Sequence, residues 1–127
     1  MTFRHLLLVA LGGAFGSVLR YAGSGWAQRL FPATIFPVGT FVVNLTGSLL
    51  IGLVAGLVEY RQLIGPGPRL FLVVGILGGY TTFSAFSLET VILLREGQAS
   101  MAALNVLAQV ALGVGAAFAG FFAARSL

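Results

Sequence analysis

Cysteine, lysine and aspartate are absent from the 127 residues, and histidine and tryptophan occur once each. Without cysteine there is no disulfide, no thiolate metal site and no thiol nucleophile. The only acids, Glu59, Glu89 and Glu96, lack the spacing of a metal-ligand set, and His5 lies near the terminus. Catalysis therefore has no constellation to work with, and the chain reads as no enzyme. Charged residues make up 8% of the sequence, against roughly 25% in a soluble domain. In their place, 58% of the residues are hydrophobic, and the mean hydropathy is +1.03. That composition belongs in a bilayer. The net charge of +4 comes from arginines. In a soluble protein it would point to nucleic acid. Here most of the arginines flank apolar stretches, where they anchor helices at headgroups, so nucleic-acid binding is set aside.

A spanning helix needs about 20 mostly apolar residues. Four stretches qualify, at about 3–28, 38–58, 70–94 and 101–124. The breaks between them are "RLFPATIFP", "EYRQLIGPGPR" and "REGQAS", rich in proline, Gly-Pro pairs or charge. The first stretch has the look of a signal peptide, but with three more following it reads as a retained helix. One transmembrane domain over 1–127 is expected, with no room for a soluble catalytic domain. Arg4, Arg61, Arg69 and Arg125 fall on the side of the N-terminus, Arg29 and Arg95 on the other. Four against two is a weak orientation signal. It fits an ordinary protein with its N-terminus inside. It also fits a chain that inserts both ways and pairs with its inverted twin. No internal repeat is visible, so such symmetry would have to come from a dimer.

Polar residues inside lipid need a partner or water. Thr40, Asn44 and Ser48 recur at i, i+4 and i+8, one stripe on a helix. Such residues knit helices together or line a pore, and Asn44, with two amide donors, leans towards the pore. The pairs Gly12/Gly16, Gly52/Gly56 and Gly113/Ala117 have the four-residue spacing of close helix packing. Arg20 lies deep in the first span, where an arginine costs about 2.5–3.5 kcal/mol on insertion scales. Either it snorkels to the interface or it lines a wet vestibule that attracts anions.

The third span carries "GILGGYTTFSAFSLE", Gly75 to Glu89. Gly78-Gly79 followed by Thr81-Thr82 is poor helix material and predicts a break at mid-membrane. Carbonyls freed by such a break commonly hold a small cation. Phe83 and Phe86 follow at i, i+3, with Ser84 and Ser87 one step round. Taken alone, the two rings are lipid-facing or core filler. Beside the break and Asn44 they invite another use, because the edge of an aromatic ring is positive. Ring edges, an amide and hydroxyls attract an anion without the deep binding of a full charge, as conduction requires.

Three motifs, "GGAFGSVLRY" (Gly12 to Tyr21), "GTFVVNLTGSLLIG" (Gly39 to Gly52) and "GGYTTFSAFSLE" (Gly78 to Glu89), occur in this order. Together they resemble the Fluc (CrcB) family of small bacterial fluoride channels over essentially the whole chain. The resemblance implies an all-α membrane protein of four transmembrane helices, the third broken near its middle. It implies an antiparallel, dual-topology homodimer with two fluoride pores, multi-pass in the bacterial inner membrane. The implied activity is passive export of cytoplasmic fluoride, which lowers its toxicity. Phe83 and Phe86 match pore-lining rings, Asn44 a pore donor, Thr40 and Ser84 polar pore positions, and Arg20 an arginine near the aqueous entrance. Main-chain carbonyls of Gly78 and Thr81 match those that hold a structural Na+ at the dimer centre, and no organic cofactor is implied. Thr82 and Glu89 extend the polar track. Ala85 replaces a threonine common in the family. On the fourth helix, Asn105, Gly113 and Ala117 stand where a tyrosine and then Ser and Thr are usual, so Asn105 and Gln109 are expected to supply amides instead.

Two other classes compete. A small dual-topology multidrug or cation exporter needs a glutamate in its first helix, and this first span has Arg20 and no acid. A non-transporting assembly subunit explains the small residues but not the central break.

Overall fold

The structure is a computed structural model and describes residues 2–127. Regular structure among the described residues is entirely helical. Helix α1 covers Phe3–Arg29 and α2 covers Val38–Arg61. The third span, Pro66–Arg95, consists of α3 (66–80) and α4 (Phe83–Arg95), and α5 covers Ala99–Ala123. Each of the four spans is long and apolar enough to cross a membrane. The helices overrun the predicted stretches where the side chains allow it. Thus α2 continues to Arg61, and the third span starts at Pro66 because Pro66 and Pro68 sit in its first turn, where no N–H is needed. The turn after α4 is closed by Gly97 at φ +74°, a backbone conformation that favours glycine.

Two pairings of helices organise the bundle: α1 lies along α3, and α2 lies along α5. Both are backbone-to-backbone contacts made possible by glycine. A Cβ on Gly12 would sit 2.9 Å from the Gly75 Cα, and one on Gly16 would overlap the Ile76 carbonyl. Across the other seam Gly52 faces the Ala117 carbonyl, Gly56 the Phe121 carbonyl and Gly120 the Leu49 carbonyl. Gly113 is different. A Cβ there would meet only the Ser48 hydroxyl, at 3.7 Å, so the tight partner on α5 is Ala117 and then Gly120. In a membrane such close approach substitutes dispersion contacts for a hydrophobic drive that lipid does not supply.

The third span is broken, but not at its glycines. Gly78 is helical, at φ −64° and ψ −38°. Thr81 and Thr82 are extended, with ψ 158° and 117°. The double glycine has a packing reason instead: a Cβ on Gly79 would lie 2.6 Å from the Gly13 carbonyl oxygen. Ahead of the break, Leu70–Leu77 winds as a wide π-helix, a geometry found often at functional sites. The break is where the span leaves α1 and joins α5. One straight helix would not follow both.

Candidate functional site

An interrupted helix in lipid must find partners for the peptide groups it frees. Here Asn44 of α2 supplies them. Its Nδ2 donates to the Thr82 carbonyl at 2.9 Å, and its Oδ1 accepts from the Thr82 N–H at 2.7 Å. The Thr82 hydroxyl caps α4, accepting from the Ala85 N–H at 3.1 Å. These side-chain bonds leave two carbonyls without their α-helical donors. Gly78 loses the Thr82 N–H to Asn44, and Thr81 loses the Ala85 N–H to Thr82. Arg20 is half-buried and reaches in: its Nη1 lies 3.5 Å from the Thr81 oxygen. The guanidinium faces the break.

A directional series of hydrogen bonds runs from the clamp into α5 and back to α4. The Asn44 Nδ2 also donates to Gln109 Oε1 at 3.0 Å, and Gln109 Nε2 donates to Asn105 Oδ1 at 3.4 Å. Asn105 Nδ2 donates to the Thr90 hydroxyl at 3.0 Å, which donates to the Phe86 carbonyl at 2.8 Å. Asn105 is fully buried. A separate pair lies on the same side: the Thr40 hydroxyl donates to Glu89 Oε1 at 2.5 Å, while the buried Glu89 Oε2 has no protein partner.

Beside the clamp opens a cleft of about 350 Å³ bordered by Asn44, Ser48, Thr82, Gln109, Phe83 and Phe86. The two rings meet edge to face, their centroids 5.3 Å apart. Phe86 is 8% exposed and faces inward, whereas Phe83, 78% exposed, projects from the chain at the mouth of the cleft. The second N–H of Gln109, hydroxyls and ring edges offer partial positive charge here, and no arginine borders the space. Such a lining suits a small anion that must exchange its water shell and still leave.

The structure thus brings Asn44, Thr82, Gln109, Phe83 and Phe86 around one space, with Gly78 and Thr81 on its rim. Thr40 and Glu89 bond each other off the cleft, and Asn105 stands behind Gln109. Ser84 is exposed, its hydroxyl 3.3 Å from that of Thr82. Two participants escaped the sequence reading. Thr90 has a weak signal, sitting four residues after Phe86 where its hydroxyl returns to that carbonyl. Tyr80 has one too, inside "GGYTTF": its hydroxyl lies 2.9 Å from that of Thr46, tying the end of α3 to α2.

Four apolar spans with a side-chain-clamped break, and beside it a cleft that brings a few polar groups among apolar ones, define a multi-pass membrane protein. Residues 7–121 match the family model described as CrcB-like protein, Camphor Resistance (CrcB), and the chain belongs to that family. Its sequence is 48% identical over 124 residues to a Rhizobium meliloti protein named Fluoride-specific ion channel FluC, covering 97% of this chain and 98% of the relative. A Nitrobacter winogradskyi protein of the same name is 50% identical over 121 residues, 94% of each chain. Fluoride-specific ion channel FluC 1 of Nitrobacter hamburgensis is 48% identical over 128 residues, the full length of both.

Proposed function

We propose that the chain is a fluoride-selective channel of the bacterial inner membrane that lets the anion leave the cytoplasm down its electrochemical gradient. The observation that carries this reading is the cleft at the break, where amide, hydroxyl and ring-edge groups without a full charge stand among apolar side chains. The names of the relatives agree with it. Fluoride accumulates in cells in acidic surroundings because neutral HF crosses lipid and ionises inside. Returning the anion needs a path and no energy source.

In this reading a second, inverted copy completes the site. Phe83 projects from the chain and Gly78 is exposed beside the broken backbone. Acyl chains satisfy no peptide group, so this surface is better covered by protein. The four-to-two division of terminal arginines suits insertion in both directions.

The Gly78 and Thr81 carbonyls fit a structural sodium ion at the dimer centre. Both have lost their helical donors to side chains, and Gly78 adds no Cβ in front of its own peptide. The Thr81 oxygen keeps a lone pair beyond the one turned to Arg20. Bound there, the ion would supply a fixed positive charge and tie the two breaks together.

Purified protein in liposomes is expected to pass fluoride and exclude chloride; equal chloride flux, or none of fluoride from an intact dimer, rejects the channel. Phe83→Ile and Phe86→Ile remove the ring edges and keep apolar bulk. An edge contact worth about 1.4 kcal/mol corresponds to roughly a tenfold lower flux. Phe118→Ile, on the apolar surface formed by α2 and α5, is expected to leave flux near wild type. Equal effects at the three positions would remove the rings from the path.

A further inference from the structure

The bonds from Asn44 to Phe86 all point one way, and the series can be reversed without moving a helix. A carboxamide turned half a revolution about its last bond exchanges its nitrogen and oxygen at almost constant shape, and a hydroxyl turns freely. In the reversed arrangement the Thr90 hydroxyl donates to Asn105 Oδ1, and Asn105 Nδ2 donates to Gln109 Oε1. Two bonds are given up: that of Asn44 to Gln109, and that of Thr90 to the Phe86 carbonyl, an oxygen that also lies in the main-chain ladder of α4. Two donors, Asn44 Nδ2 and Gln109 Nε2, then face one another at the edge of the cleft. Two facing donors repel unless an acceptor lies between them. Asn44 is not free to turn away, because its other N–H and its oxygen hold Thr82. Gln109 has the mobility, with a long side chain that borders open space.

We propose that Gln109 is a second amide donor of the anion site, turned towards the ion when fluoride arrives, with Asn105 and Thr90 reversing behind it. This rests on the anion-channel reading above. With no ion at hand, Gln109 occupies the Asn44 N–H as an acceptor, so the donor pair exists only when an anion is there to use it. The cost favours a small, strongly accepting ion, since two hydrogen bonds must be surrendered before the donor pair forms. Asn105, buried and bonded on both sides, acts as a positioning residue.

Two measurements on the full-length protein decide it. Gln109→Met keeps the length and removes the donor, and fluoride efflux from liposomes is expected to fall roughly tenfold, as for one hydrogen bond to an ion. Unchanged flux would show that Gln109 gives nothing to the ion, and raised flux that it is a plug; either overturns the proposal. Should that variant not fold, the wild type still answers. On titration with sodium fluoride the side-chain amide 15N–1H signals of Asn44 and Gln109 are expected to shift together, with Asn105 following. A shift at Asn44 alone overturns the proposal. Absence of fluoride flux from the wild type would instead strike the channel reading, and the paired shifts distinguish the two failures.

Discussion

Asn44→Leu is expected to abolish fluoride flux and to lower the stability of the protein together. The magnitudes decide which bonds matter. An interhelical side-chain pair such as Asn44–Gln109 contributes about 0.6 kcal/mol in a membrane. The Thr82 peptide is another matter, because its N–H and C=O are both turned to Asn44 and Thr82 is buried. Each buried group left unmet costs about 1–3 kcal/mol, so the leucine variant is expected to lose roughly 2–6 kcal/mol. At a barrier cost of similar size, flux falls by roughly thirtyfold or more. Asn44→Asp separates the two effects. It keeps an acceptor for the Thr82 N–H, removes the amide donors and sets a negative charge on the cleft. Its flux is expected to vanish while the part of the stability that rests on the Thr82 N–H bond remains. Thermal unfolding in detergent and efflux from liposomes read the two quantities. A leucine variant that melts and conducts like wild type would remove Asn44 from both roles.

Gly16→Ala is the second large effect, and Gly13→Ala is its control three residues away. The new methyl on residue 16 would overlap the Ile76 carbonyl and stand 2.9 Å from the Tyr80 nitrogen. These are main-chain atoms, so no rotamer relieves the clash, and α1 must move off α3. Overpacking of this kind costs about 1–3 kcal/mol. The end of α3 moves with it, and with that the break and the cleft, so flux is expected to fall as well. At Gly13 nothing lies within 4 Å of the added methyl. There alanine removes the entropic penalty of a helical glycine, and a gain of about 0.5–1 kcal/mol is expected. Opposite signs from one chemical change, read as unfolding midpoints in detergent, test the α1–α3 contact. Two equal shifts would refute it.

The same pair shows how far the amino-acid order reaches. Gly12 and Gly16, four apart, announce a packing face because a helix repeats its face at that interval. The four spans, the polar stripe on α2 and the neighbourhood of the break were legible for the same reason: each is a local property of composition or period. Spacing names a face but not what the face meets. Gly113 and Ala117 have the same interval, yet only Ala117 is in tight contact, because the rotation of α5 against α2 is set by the whole bundle. Phe83 and Phe86, one turn apart, part company similarly, one projecting and one enclosed.

Composition and helical period by themselves settled the membrane, the four crossings, the interrupted third span and the residues rich enough in hydrogen-bonding groups to matter there. Tertiary structure alone decided that Asn44 clamps Thr82, 38 residues away, and meets Gln109, 65 away. It also decided that the threonines open while the glycines stay helical. Backbone strain and peptide satisfaction are settled by partners, and at such separations partners exist only once the helices have packed.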